Sequence, residues 1–484
     1  MSSLERKTFK NVSYTAGARG VAIVFQAIAN IILSRELLPS DYGLVGFASI
    51  FVTFFAQFSD LGLNSAVVQR KELDERAIYT GFTMKLGIGF MLYMIAFASS
   101  WFALLLLDNP DIVLIIKVLA INFIFNCFGF LPITQIKREL NYKFIAYANV
   151  IQTAFSSTLA IILALNGFSY WSIVISNICG VLAFVIAINA FRPMKIRIMF
   201  DKATARQYLN YGTSLSLIGF IVFTMFNVDN FIIGAVSGVA VLGFYSIAFN
   251  WGSTVCDTLG AVINTVLFPT FSRMDQDRER VKAAYLRVLE YVGAMAFLVN
   301  ITLLLVSEDF LVHVLGQGTD KWMPALVSFR ILCVYGILRA LLEPVANVFM
   351  ALDLNKVLLK ITILSTLFQL IFIYPAIIYC GIEGVSMLVT TAYLLQFLFY
   401  YKTINREIGV KICELAKSVQ YSACTAIIVV VIYIASNSYF VVGSLIDVLI
   451  LSAVLAFSYI IIYGMISNWR IFREIKSLMT NATA

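Results

Sequence analysis

Arg19, Asp229, Asp257 and the pair Arg339 and Glu343 stand inside long runs of apolar residues. An ion at the centre of a bilayer costs roughly 2.5–3.5 kcal/mol on insertion scales, so each of these groups needs a hydrated cavity or a partner. Amides recur on the same runs: Gln26 and Asn30 after Arg19, Gln57 on the next run, Asn227 and Asn230 around Asp229, and Asn250 ahead of Asp257. An arginine offers a planar fork of donors and a permanent charge, which suits a phosphate-type anion. A carboxylate whose surroundings alternate between wet and narrow binds its proton more tightly when narrow. Asp229 and Asp257 are therefore candidates for ion coupling. Every one of these positions also has a packed, structural reading. Arg339 and Glu343 are spaced i,i+4 and can neutralise each other. Lys85, Lys117 and Lys360 lie within about two turns of a run's end, where a lysine stem can snorkel to water. Arg330 has no evident partner in sequence, and Asp60, beside Gly62, reads equally as a helix-terminus device.

No other chemistry is indicated. His313 is the only histidine, and the seven cysteines form no CxxC. That pattern gives neither a metal site nor a disulfide frame, and the cysteines read as small buried hydrophobes. There is no catalytic triad and no phosphate-cradling glycine loop, so an enzyme, a bound cofactor and direct use of ATP are not expected.

The elements that hold these groups follow from composition. Of 484 residues, 61% are apolar and 13% charged, with a mean hydropathy of +0.89. A water-soluble fold cannot hide that surface, and the charged share is about half that of an ordinary domain. Runs of spanning length recur at 11–34, 42–66, 77–107, 112–136, 143–165, 169–191 and 206–235, then 240–271, 283–306, 323–350, 356–379, 383–401, 415–436 and 442–467. These predict fourteen transmembrane helices. The basic start, Met1 to Lys10, reads as the flank of a retained first span, because Arg19 interrupts the apolar core a signal peptide would need. Of 35 Lys and Arg residues, 27 fall in loops on one side, against Arg35 and Lys321 on the other. That asymmetry places both termini in the cytoplasm. The net charge of +8 thus encodes topology, and no nucleic-acid partner is expected. The segment from Asp275 to Tyr291, with Arg278, Arg280, Lys282 and Arg287, reads as an amphipathic cytoplasmic extension against membrane lipids, or simply as a topology anchor.

The two halves also match at a shift of about 200 residues. Gly43, Ala48, Asn64 and Ser65 meet Gly243, Ala248, Asn264 and Thr265; further on, Pro132 meets Pro344 and Lys143 meets Lys356. An even number of spans per copy makes the repeats parallel. The expected fold is an all-α integral membrane protein of two parallel six-helix bundles around a central cleft, with two extra C-terminal helices. Its lobes are 1–200 and 201–405, and 406–484 holds the added helices and cytoplasmic tail.

Several motifs fall in the corresponding order: Leu33 to Leu44 (LSRELLPSDYGL), Ser59 to Leu63 (SDLGL), Val68-Gln69-Arg70, Val228 to Gly234 (VDNFIIG), Leu242 to Ser246 (LGFYS) and Phe268 to Arg273 (FPTFSR). Over roughly residues 10 to 405 the chain resembles the polysaccharide-transport branch of the multidrug/oligosaccharidyl-lipid/polysaccharide exporter superfamily. The resemblance implies a fourteen-span flippase of the bacterial inner membrane. It would move undecaprenyl-diphosphate-linked oligosaccharides for O-antigen, capsule or exopolysaccharide assembly. It further implies a cleft walled by spans 1, 2, 7 and 8. Arg19, Gln26, Asn30, Gln57, Asn230 and Arg339 would then bind the lipid-linked oligosaccharide, with Arg19 on its diphosphate, and Asp229 and Asp257 would couple an ion. A polysaccharide polymerase would be a partner. Three alternatives stay open. A cation-coupled exporter of the superfamily usually has an acidic residue in its first span, where Arg19 stands here. A membrane glycan polymerase would need a long outer loop. A peptidoglycan-precursor flippase is close in fold.

Overall fold

The computed structural model describes residues 3–69, 74–107, 109–272, 277–436, 442–470 and 473; side chains are left aside at 3–13, 15–16, 65, 69, 210–218, 255, 257, 259, 261–272 and 436. The described residues are helical almost throughout. In chain order come α1 (Ser3–Glu36), α2 (Pro39–Ala56), α3 (Leu63–Gln69), α4 (Glu75–Leu107), α5 (Asp111–Ala120), α6 (Asn122–Cys127), α7 (Phe130–Arg138), α8 (Lys143–Leu165) and α9 (Trp171–Phe191). Then follow α10 (Lys202–Ser237), α11 (Val239–Ser272), α12 (Arg278–Leu305), the single turn α13 (Ser307–Asp309), α14 (Leu326–Ala351), α15 (Asn355–Ile408), α16 (Ile412–Ser436) and α17 (Leu445–Ile466). Two irregular helical turns, Phe310–Leu315 and Asp320–Ala325, lead from α13 into α14.

Helix starts are written in short polar side chains. Pro39 opens α2, and the Leu38 N–H donates to the Asp41 carboxylate at 3.0 Å. Asp201 accepts from the Thr204 N–H at 2.7 Å ahead of α10, Asp277 from Arg280 N–H ahead of α12, and Ser444 from Asp447 N–H ahead of α17. Each of these bonds satisfies a donor that the first turn leaves open. At the far end of α15, Gly409 takes a left-handed φ of 65° and its N–H closes on Asn405 O at 3.0 Å.

Among the described residues eleven helices are long and apolar enough to cross a membrane, or twelve if the bent α5–α7 segment, turned by 48°, is one span. The fourteen of the charge pattern differ from this for visible reasons. At 54 residues, α15 would reach about 80 Å if it ran straight, well over one bilayer. Gly381 (φ 59°, ψ −151°) breaks it in a region essentially reserved for glycine. The inner part of α11 lies beyond the described side chains. The second predicted span also stops early. After Ala56 the chain leaves the helix, turns through positive φ at Leu61 (39°) and Gly62 (64°), and re-enters as α3.

Two compact units divide the chain, Met1–Ser246 and Ile247–Ala484. In the first, α1 packs on α8, α8 on α9, and α2 on α5 and α10. Ala29, Leu33 and Leu37 of α1 close against Ala160 and Ala164 of α8, small residues that let the helices approach. Leu63, Val67, Tyr79, Phe82, Phe130 and Tyr208 form a second core at the α3–α4–α7–α10 end. Gly43 of α2 and Gly243 of α11, matched at the 200-residue shift, meet face to face. A β-carbon on Gly43 would strike the Val239 carbonyl, and one on Gly243 the Pro39 carbonyl. Pro39 and Val239 are themselves 200 apart, so the crossing has local two-fold symmetry.

In the second unit, α14 packs on α12 and α15, and α16 on α12 and α17. Cys256, Val292, Ala296 and Ala340 form its small-residue core, and Tyr335 meets the ring of Tyr393 edge-on at 4.8 Å. Lys282, on the basic start of α12, is bonded to Glu414 at 2.9 Å, so this segment is tied to α16. Only Cys127, Cys256 and Cys333 are fully buried; Cys380, Cys413 and Cys424 are exposed, contrary to the reading of the cysteines as buried hydrophobes.

Candidate functional site

Arg19, Gln26 and Asn30 are all exposed on α1. Their spacing of i, i+7, i+11 keeps them within one narrow stripe of a 3.6-residue helix, beside the seam that packs on α8. Among the described residues Arg19 has no carboxylate partner. A guanidinium on an apolar helix with no carboxylate partner among the described residues, and with two amides about two and three turns beyond, is an arrangement able to take a multidentate anion and neighbouring hydroxyls.

Gln57 follows the last residue of α2. Its amide donates to Thr53 O at 3.3 Å, and its Oε1 lies 3.1 Å from where a β-carbon on Gly219 of α10 would sit. Gln57 therefore belongs to the α2–α10 contact.

Asp229 and Asn230 form a closed cluster on α10. Asp229 is 2% exposed. Tyr245 of α11 donates its hydroxyl to Asp229 Oδ2 at 2.6 Å, while Oδ1 accepts the Asn230 N–H at 2.8 Å and the Asn230 amide at 3.2 Å. All bonds to this carboxylate come from neutral donors, and no Lys or Arg among the described residues pairs with it.

Arg339 is half-buried on α14 in the second unit, one turn from Glu343, whose carboxylate abuts Gly260 of α11. The side chain of Asp257 lies outside the described residues. Within the first unit the sequence candidates thus fall in three places, the α1 stripe, Gln57 at the α2–α10 contact and the Asp229–Asn230 cluster, while Arg339 belongs to the second unit.

Three features escaped the sequence reading. Lys85 does not snorkel. It is 7% exposed and donates to Ser59 O at 2.6 Å, with Asp60 Oδ1 at 3.5 Å. Asn64 donates to Asp60 at 2.5 Å, and Thr134 to Asn64 at 3.0 Å. Lys85 thereby holds the Ser59 carbonyl where α2 unwinds, and the Asp60 carboxylate takes up Lys85 and the Asn64 amide. Only the i,i+4 spacing of Asp60 and Asn64 hinted at this. Arg330 is also paired, to Glu308 at 3.5 Å and Ser307 Oγ at 2.8 Å, and Lys117 lies over the Phe97 ring at 4.1 Å. The third feature is a phenylalanine seam between α2 and α10. Phe47 and Phe51 meet Phe231 at 5.6 and 6.2 Å between centroids, and Phe54 meets Phe220 and Phe223 at 5.8 and 5.7 Å. The spacing 47, 51, 54, 58 was legible as one helical stripe, but it also fits any lipid-facing surface.

Membrane-length helices that carry internal charges and an exposed polar stripe define a multi-pass membrane protein. A family model described as "Polysaccharide biosynthesis protein" matches residues 32–327. The chain belongs to that family, the transporters of polysaccharide biosynthesis within the multidrug/oligosaccharidyl-lipid/polysaccharide exporter superfamily. It is similar to the lipopolysaccharide biosynthesis protein WzxC of Escherichia coli (strain K12), 24% identical over 418 residues, covering 84% of this chain and 83% of that one. In fold it is similar to the lipid II flippase MurJ in an inward closed conformation (TM-score 0.74, 12% identity, 96% of this chain and 100% of that one). An inward-facing multidrug resistance transporter of the same superfamily also aligns (TM-score 0.62, 16% identity, 81% and 98%).

Proposed function

We propose that this protein is a flippase that carries undecaprenyl-diphosphate-linked oligosaccharides from the inner to the outer leaflet of the bacterial inner membrane by alternating access. The product would feed O-antigen, capsule or exopolysaccharide assembly, with a polymerase as downstream partner. The observation that carries this reading is Arg19, without a carboxylate partner among the described residues, on an exposed polar stripe of α1 in a family of polysaccharide biosynthesis transporters. Arg19 would bind the diphosphate, and Gln26, Asn30, Gln57, Asn230 and Arg339 the sugars. Asp229 and Asp257 would bind the coupling ion. Fourteen spans with both termini cytoplasmic would result if α11 crosses, α5–α7 counts once and α15 counts twice about Gly381. The lobes would be 1–200 and 201–405, with 406–484 added.

The test is genetic. In a host deleted for its own flippase and supplied with a matching lipid-linked repeat unit, the protein should restore surface polysaccharide. Accumulation of the precursor on the inner leaflet despite good expression would refute the proposal. A second reading, flipping of a peptidoglycan precursor, is favoured only by the fold likeness to the lipid II flippase. Rescue of a host depleted of that flippase would select it.

A further inference from the structure

The seam between α2 and α10 contains a cavity of about 400 Å³. On α2 and the turn after it the ring positions are 47, 51, 54 and 58. On α10 the facing positions are 220, 223, 227 and 231, and all but one carry phenylalanine. The exception is Asn227, and the cavity lies at that gap, walled by Phe51 and Phe54 of α2, Phe223 and Phe231 of α10, and Phe102 of α4. Asn227 stands ten residues, about 15 Å, from the end of α10, near the middle of a bilayer about 30 Å thick.

The chemistry of the wall selects the occupant. Among the described residues no ionisable side chain lines it. Its few polar side chains each donate to a carbonyl of their own helix: Asn227 Nδ2 to Phe223 O at 2.9 Å, Thr224 Oγ1 to Phe220 O at 2.9 Å, and Ser99 Oγ to Ala96 O at 3.0 Å. The wall that remains is almost wholly apolar, a poor match for a sugar or a diphosphate. The cavity is open at the protein surface beside Phe102 (55% exposed) and Phe220 (37% exposed), so a hydrocarbon chain can enter. Flat aromatic faces pack best against planar, branched segments, and a chain carrying a double bond and a methyl branch in every repeat presents both. A straight acyl chain presents neither along most of its length.

We propose that this cavity seats part of the isoprenoid chain of the lipid-linked substrate, as a tail site separate from the polar residues that would hold the head. The proposal rests on the flippase reading and extends it to the lipid. The probes are undecaprenyl phosphate and dioleoyl phosphatidic acid, which share a phosphate head and differ in the chain. In native mass spectrometry of protein from nanodiscs, the wild type should retain undecaprenyl phosphate about tenfold over phosphatidic acid. Asn227→Phe, which fills the gap with the ring the stripe omits, should abolish that preference. A photoreactive group in the polyprenyl chain, applied to unsubstituted protein, should label peptides containing Phe51–Phe54 and Phe223–Phe231. Absence of preference in the wild type, equal preference in Asn227→Phe, or labelling confined to other helices would overturn the proposal. Binding is read without transport, so this result and the failure of the flippase reading are distinguishable.

Discussion

Tyr245→Phe removes one atom and leaves the aromatic packing in place, so its effect isolates the bond to Asp229. Asp229 is 2% exposed and accepts three hydrogen bonds, two of them on Oδ1 from Asn230. The Tyr245 hydroxyl, at 2.6 Å, is the bond given for Oδ2. Without it, that oxygen faces protein interior with no donor and water cannot replace it. A hydrogen bond to a charged group is worth about 1.5–3 kcal/mol, and loss of the donor should cost that much stability. Asp229→Asn retains an acceptor for Tyr245 but removes the charge, so the double variant should be less destabilised than the sum of the two singles. The assay is equilibrium unfolding in mixed micelles over the four members of the cycle. A coupling of at least about 1 kcal/mol is expected. Coupling within about 0.5 kcal/mol of zero would mean that Asp229 finds solvent, and the closed cluster would be wrong.

Lys85→Met should lower stability by about 1.5–3 kcal/mol through loss of the charge-assisted bond to Ser59 O; an unchanged thermal midpoint would return Lys85 to a snorkelling role. Gly381→Ala should cost about 1–3 kcal/mol, because an alanine is strained at φ 59°, ψ −151°; the same thermal unfolding series reads it. Arg19→Gln should abolish transport with the protein inserted and abundant, and Arg19→Lys should restore only part, lacking the fork. Normal transport by Arg19→Gln removes the anion role, and lost expression assigns Arg19 to packing. If protons drive the cycle, flipping in proteoliposomes should respond to an imposed pH gradient, and Asp257→Asn or Asp229→Asn should lose that response while keeping substrate binding. Full retention by both variants rules out these carboxylates as the coupling groups.

The membrane class and most helix positions were legible because hydropathy over twenty residues depends on composition and not on contacts. The caps at Asp41, Asp201 and Asp277 are likewise local signals. Gly43 and Gly243 were found as a repeat match, but only the fold shows that the matched residues touch. Lys85 was misread because its partners Ser59 and Asp60 come from the turn after α2, and a lysine near a span end looks the same whether it reaches water or a freed carbonyl. The end of α2 at Ala56 was hidden for a related reason, since the turn is held by a lysine from α4, distant in sequence. Arg19, Gln26 and Asn30 were legible as polar residues in an apolar run, and the helix adds their common stripe. The tail cavity was not legible: 40 phenylalanines leave no signal in sequence for one missing ring at Asn227.

The most direct measurement of the central claim is flipping of a purified, fluorescent undecaprenyl-diphosphate oligosaccharide in proteoliposomes, with an impermeant quencher added outside. The wild type should expose the protected inner-leaflet pool in a time-dependent phase that empty liposomes and Arg19→Gln lack. A protected pool that stays constant with correctly inserted wild-type protein, with and without an ion gradient, would contradict the account.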